Sequence, residues 1–342
     1  MSDEQQIHLQ RQCALDWLTA ASPVLLMAFC FYRWTAPLSA VMAAAGWLAV
    51  SALLQWAGLS RMIAAPALAG GVWLALLLPA GAPLWLGALG GAVAAVVAAV
   101  PGLVARWIPR ARGLLHPVLT GWLFLRLVFP IYVQTYTLPL LWAPAEAAPT
   151  ADLLLPLVGG AATPLSHLFF GIREGAVGQG CVPVLLLALG YAALRRRASL
   201  IAPAALVATV AVLSWGVWGT PLRGVLVGGT MLAAVLLADN DYLPAGYSAR
   251  GLAGFVAGGL IVLIRATAGQ DGCAVAVLLA CLLSPLYAPF LRLCRIGGVW
   301  LWGVLRQYAP PLAVRIWRGL LWLWGKIVSF VGAIFAKCKN KC

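Results

Sequence analysis

Long apolar runs separated by short polar breaks occupy most of the first 290 residues. Reading runs of roughly 20 apolar residues as bilayer-crossing helices predicts spans at 14–32, 36–57, 63–79, 83–105, 114–132, 181–194, 199–217, 222–238, 251–268 and 272–290. Several are rich in Gly and Ala, which lets helices approach closely in lipid. The fold class expected is an all-α polytopic membrane protein of about ten transmembrane helices. The longest polar or broken segment, 133–180, leaves five of these spans on each side. With an odd number per half, two structural repeats would be inverted relative to each other, sharing a site near the midplane at interrupted helices. The expected division is 1–150 as a first five-helix repeat, 151–290 as a second, and 291–342 as a tail.

Composition agrees with the pattern. The chain is 63% hydrophobic and 9% charged, with a mean hydropathy of +0.96, beyond any ordinary soluble domain. A net charge of +14 could suggest nucleic acid, but in a membrane protein basic excess marks the cytoplasmic face. With the N-terminus inside, the inner loops collect Arg11, Arg61, Arg106, Arg110, Arg112, Arg195, Arg196, Arg197 and Arg250. Outside or near the outer face lie Arg33, Arg126, Arg173, Arg223 and Arg265. Both termini are therefore expected in the cytoplasm, with the chain multi-pass and no nucleic acid as partner. The first residues, MSDEQQIHLQRQ, lack the basic n-region and small-residue cleavage site of a secretory signal, so the first span is expected to be retained.

The tail differs in kind. Residues 291–342 carry nine Lys/Arg, no acid, and Trp300, Trp302, Trp317, Trp322 and Trp324. That pattern suits interfacial helices drawn to anionic lipid, at about 297–308 and 312–336. Arg315 and Arg318 at the bilayer centre would cost about 2.5–3.5 kcal/mol each, although an eleventh span over 312–336 is the alternative reading. Of the eight cysteines none forms a C-x-x-C pair, and only three histidines accompany them. The C-x-x-x-C end, Cys338 and Cys342, lacks further ligands, so no metal site is expected.

One stretch concentrates polarity where little is expected: GGAATPLSHLFFGIREGAVGQG, residues 159–180. Arginine and glutamate at membrane depth mark function by default. Pro164 bars the preceding residue from helix and keeps Thr163 extended. The same dipeptide can also be an ordinary helix start, with Thr163 as N-cap and Pro164 in the first turn.

The order GGAATPL, LFFGIREGAVGQG, an apolar span, GGTMLAAVLLADNDYLP and SARG resembles the RnfD/NqrB family. These are membrane subunits of ion-translocating oxidoreductase complexes. Upstream, GLLHPVLTGWLFLRLVFP resembles that family's G-x-x-x-N-P segment, with His116 where Asn is usual. The resemblance covers about residues 100–290 and implies a fold similar to urea transporters. It implies FMN held covalently by Thr163 through a phosphoester, in a flavin-site loop of the second repeat, and it admits a second, non-covalent flavin. Around Thr163 it makes Arg173 a partner for the phosphate, Phe169 and Phe170 packing surfaces for the ring, and His167 and Gln179 further candidates. Read without the family, Arg173 pairs with Glu174, the two phenylalanines face lipid, and His167 is an interfacial histidine. Departures from the family pattern are Gly160-Ala161 for Ser-Gly, Leu157 for an acid, and Gln179 for Glu. Asp239 and Asp241 in DNDYLP are candidates for an ion path, or else solvated loop acids.

The function implied is a subunit that relays electrons through flavin, coupled to Na⁺ or H⁺ movement. No Rossmann fingerprint, Cys₄ run or haem motif is present, so partners like RnfA, RnfB, RnfC, RnfE and RnfG would supply the remaining redox chemistry. Two alternatives stay open. One is a small-solute channel like the urea transporters, lined by Phe169, Phe170 and Thr120. The other is a flavin-free scaffold in such a complex.

Overall fold

The computed structural model describes residues 3–59, 64–104, 115–139 and 163–294. Among them the chain is helical throughout, with two isolated bridges, Thr137 to Gly175 and Ala198 to Asp239. The helices are α1 (Asp3–Tyr32), α2 (Thr35–Trp56), α3 (Ala64–Leu77), α4 (Leu84–Val104), α5 (Pro117–Val128), α6 (Pro130–Gln134) and α7 (Leu165–Phe170). A 3₁₀ turn at Val177–Gln179 leads into α8 (Val182–Leu194), α9 (Ile201–Trp218), α10 (Pro221–Leu226), α11 (Thr230–Leu237), α12 (Tyr247–Ala268) and α13 (Cys273–Leu282). One compact unit runs from Met1 to Ala288 and a second from Pro289 to Cys342. The expected interfacial helices of the tail, with Cys338 and Cys342, lie outside the described residues, as do Arg106, Arg110 and Arg112.

Proline sets several starts: Pro117, Pro130, Pro183 and Pro221 all sit in a first turn, where the missing N–H costs nothing. Helices lie within the predicted spans, but three of these are broken, one of them 272–290, which bends after α13. The span 114–132 divides into α5 and α6 at Phe129, ahead of Pro130. The span 222–238 divides into α10 and α11 at Val227–Gly229. Among the described residues four helices are long and apolar enough to cross a membrane: Ile7–Tyr32, α2, α9 and α12. A fifth counts if α13 is joined to the bent helix that follows it. The shorter apolar helices α3, α5 and α8 suit positions inside the bundle, where broken backbone is covered by protein rather than lipid. The chain is a multi-pass membrane protein, helical across its described residues.

Helix pairings recur along the chain. α2 packs on α4 as α9 packs on α12, α1 on α3 as α8 on α11, α4 on α5 as α12 on α13, and α3 on α5 as α11 on α13. The two most extensive pairs are both closed by glycine. A Cβ on Gly91 would lie 2.0 Å from the Ala43 carbonyl oxygen, and one on Gly254 would lie 2.2 Å from that of Ala202. Such contact without side chains is how membrane helices gain dispersion energy.

A charged clasp joins the first helix to the second half. The Asp16 carboxylate, 7% exposed, accepts hydrogen bonds from Arg195 Nε at 2.9 Å and Arg197 Nε at 2.7 Å. Arg195 is largely solvated, so most of the gain comes from Arg197. Asp16→Asn is expected to lower stability by about 2 kcal/mol, the scale of a charge-assisted bond lost at a half-buried site. Thermal unfolding in detergent reads this.

Candidate functional site

Thr163 lies two residues before the start of α7, half-buried and non-helical. Pro164, rather than Thr163, takes the N-cap position, at φ −56° and ψ 142°. The ordinary N-cap reading of Thr163 is therefore displaced by one residue, and the hydroxyl-bearing residue stands outside the helix. His167 is exposed on α7. Phe169 and Phe170, also exposed, meet edge to face at 5.4 Å between ring centroids. The backbone then reverses at Gly171, whose φ of 86° closes α7 with a bond to the His167 carbonyl. Gly159, Gly160, Ala161, Ala162 and Leu157 lie outside the described residues.

Beyond this turn the chain dives into the protein, and two candidates from the sequence meet residues that sequence reasoning passed over. Arg173 is 5% exposed; its Nη2 donates to the carbonyls of Gly228 at 2.7 Å and Gln179 at 3.0 Å. Its Nε and Nη1 have no hydrogen-bond partner, leaving two donors for another group. Gln179 accepts from Ala176 N at 3.1 Å and donates to Asp271 Oδ2 at 3.4 Å.

Asp271 is the centre of the network. Its Oδ2 also accepts from Gly229 N at 2.7 Å. Its Oδ1 receives Arg265 Nη2 at 3.1 Å and Cys273 Sγ at 2.9 Å. Arg265 further donates to the carbonyls of Gly224 and Val227, both at 2.8 Å, which closes the break between α10 and α11. Arg126 Nη1 reaches the Asp271 carbonyl at 3.2 Å. The break must be glycine: a Cβ on Gly229 would fall 2.5 Å from Gln179 Nε2 and 3.1 Å from Asp271 Oδ2. Arg265 carried a signal in the sequence, as a lone cation inside the predicted span 251–268. Asp271 carried none, since it sits at a span boundary.

A cavity lies beside the N-terminal part of α1. It encloses about 370 Å³ among Trp17, Trp47, Trp73, His116, Asp239 and Tyr242. His116, the N-cap of α5, is 6% exposed and lies against the Tyr242 ring at 4.3 Å between centroids, tilted 38°. Its Nδ1 has no hydrogen-bond partner, and neither has Trp17 Nε1. Two buried polar atoms without partners beside an aromatic cavity are a costly arrangement unless a ligand meets them. Of the acids proposed for an ion path, Asp239 lines the cavity half-buried and Asp241 stands at its exposed edge.

Burial, and then the neighbouring Asp241 carboxylate, push the Asp239 carboxyl up to about 7, from about 3.9 for a free aspartate. The folded state therefore keeps a proton that the unfolded chain releases between those values. This stabilisation is fully present below the unfolded value and is lost as pH rises through about 7. The melting temperature is expected to fall from mildly acidic to neutral pH, and Asp239→Asn should remove most of that fall.

Residues 4–297 match the family described as NQR2, RnfD, RnfE. Over 249 residues, 66% of this chain and 73% of the relative, the sequence is 24% identical to a protein of Clostridium ljungdahlii. That relative is named as one of the subunits of a proton-translocating ferredoxin:NAD(+) oxidoreductase complex. With a match reaching from the start of α1 past the end of α13, the chain belongs to the NQR2, RnfD, RnfE family.

Proposed function

We propose that the chain is the membrane subunit of an Rnf/Nqr-type ion-translocating oxidoreductase complex, carrying electrons across part of the bilayer through flavin. The observation that carries this reading is the aromatic cavity with its two unpartnered buried nitrogens, in a chain of this family. A flavin ring fits that chemistry. Its carbonyl edge would accept from Trp17 Nε1, its ring N–H would donate to His116 Nδ1, and the indoles offer flat apolar walls. The cavity thus suits a non-covalent flavin, and Thr163 suits covalent FMN. Flavin supplies one- and two-electron redox chemistry, while the residues supply position, dryness and charge.

The recurring pairings support two five-helix repeats, and the arginine distribution supports both termini in the cytoplasm of a bacterial inner membrane. Cysteines introduced at positions 110 and 196 should then be shielded from an impermeant outside reagent, while one at 148 should label. Coupled Na⁺ or H⁺ movement would be shared with RnfA, RnfB, RnfC, RnfE and RnfG-like partners.

The test is affinity purification from native membranes in mild detergent. Iron–sulfur and NADH-binding partners should accompany the chain, and its own intact mass should exceed that of the bare polypeptide by one FMN increment. A chain isolated alone, colourless and of unmodified mass, would overturn the reading.

A further inference from the structure

The turn between α8 and α9 carries Arg195, Arg196 and Arg197. Arg196 N donates to the Ala193 carbonyl and Arg197 N to the Ala192 carbonyl, both at 2.9 Å. These are the hydrogen bonds of a Schellman turn, whose left-handed residue is usually glycine. Here that residue is Arg196, at φ 58°. A side chain in such a conformation persists only where its surroundings impose it, and they do. Ser199 N donates to the Ala238 carbonyl at 2.9 Å, and Asn240 N to that of Arg197 at 3.1 Å. Asn240 Nδ2 donates to the Arg196 carbonyl at 3.1 Å. From the other side, the Asp16 carboxylate ties down Arg195 and Arg197 through their Nε atoms. Arg196 is left exposed, its guanidinium in no hydrogen bond or ion pair among the described residues. Arg195, 57% exposed, is engaged only through Nε. The surface beside these cations is apolar: Leu194 is 85% exposed, Leu200 53%, and Leu187, two turns back along α8, 66%. α9 starts just after the turn and is long enough to span a bilayer, as is α12. The two run in parallel, with Gly251 beside Ile201, Gly254 beside Ala202 and Gly258 beside Leu206. The turn therefore stands at a membrane edge, level with the exposed Tyr247 that opens α12.

We infer that the α8–α9 turn is a binding site for one anionic phospholipid, its phosphate on Arg195 and Arg196 and an acyl chain along Leu194 and Leu187. Guanidinium donors bind phosphate by charge-assisted, often bidentate hydrogen bonds. An arginine serving only the negative C-terminal end of α8 has no need of the left-handed position, because Arg195 and Arg197 already stand there. An acidic protein segment accounts for the cations but not for leucines exposed beside them. A phospholipid brings charge and hydrocarbon together in one molecule. The topology proposed above puts this turn on the cytoplasmic side, where the leaflet is negatively charged. The site depends on that topology and on neither flavin.

The test uses the full chain, delipidated in detergent and titrated with phosphatidylglycerol, phosphatidylcholine or inorganic phosphate. Bound lipid is counted by native mass spectrometry, and melting temperature is read alongside. Nine basic residues in the tail also attract anionic lipid, so each variant is compared with wild type rather than read by its total. Arg196→Asn keeps a residue that tolerates the left-handed region and should melt like wild type without lipid. Its tightest phosphatidylglycerol should bind about tenfold more weakly, the scale of one charge-assisted hydrogen bond, with phosphatidylcholine unchanged. Leu194→Gln, at a position open to the surroundings, should also weaken the lipid without altering the lipid-free melt, and it keeps the test open if Arg196→Asn fails to fold. An Arg196→Asn chain that holds phosphatidylglycerol as wild type does, whether or not it melts lower, would overturn the site. Inorganic phosphate that raises the melting temperature as much as the lipid would make this a free-anion site and overturn the lipid assignment. Loss of a co-purifying protein from native membranes, with lipid binding intact, would give the turn to a partner protein instead.

Discussion

Thr163→Ala is expected to abolish covalent flavin outright. A phosphoester requires a side-chain oxygen, and alanine has none, so the effect is all-or-none rather than graded. The position suits modification. Thr163 is half-buried and lies outside α7, and the adjoining Pro164 holds an extended backbone at ψ 142°. A flavin transferase would meet the hydroxyl there without having to unwind a helix. Thr163→Ser keeps the oxygen and should retain part of the signal. The measurement is in-gel flavin fluorescence at the subunit's mass, in a host that also contains the transferase, with intact mass alongside. The wild type should fluoresce and the alanine variant should be dark. A dark wild type of unmodified mass would remove FMN from Thr163 and favour the scaffold or channel readings.

Arg265→Leu is expected to be strongly destabilising. The Arg265 side chain is 0% exposed and that of Asp271 4%. Removing one member of such a pair leaves the other charge buried without compensation, which costs about 3–5 kcal/mol. The carbonyls of Gly224 and Val227 lose their donor in the same step, and these carbonyls close the α10–α11 break. Asp271→Leu should be similarly harmful by the same argument. The double variant should be less harmful than the sum of the two, because each single change is penalised for the charge it strands. Melting temperature and monodispersity in detergent measure all three. Additive losses would show that the two side chains do not act as a pair.

The helices were legible because bilayer thickness imposes a length and an apolar composition that no other segment type shares. The breaks were less so. Phe129-Pro130 carries a local cause, and Gly228-Gly229 could be read as an interruption. Neither reveals that α11 is only eight residues long, because apolar residues continue on both sides. The polar stretch 159–180 stands out in the sequence, but which residues it meets depends on partners far along the chain. Arg173 bonds to Gly228 and Gln179 to Asp271, and only tertiary packing brings them together. His116 illustrates the same limit. As a departure from the Asn expected in the family segment it stands out, yet its place beside Tyr242 in a cavity needs a contact between segments from opposite halves of the chain. Asp16 gives no sequence signal, because an acid near the end of an apolar run resembles a solvated one until Arg195 and Arg197 are placed beside it.

The walls of the large cavity come from segments far apart in the chain, with Cys13 and Trp17 on α1 and Asp239, Asp241 and Tyr242 after α11. A ribosome delivers the first of these long before the last. During synthesis the aromatic box can therefore not close until α11 has been inserted, and the Asp16 clasp must wait for Arg197. Any small molecule that fills the box enters late, onto a chain whose first five helices are already in the bilayer. Truncations ending before residue 239 should consequently insert and yet never retain a ligand there, which makes ligand retention a marker of completed biogenesis rather than of insertion.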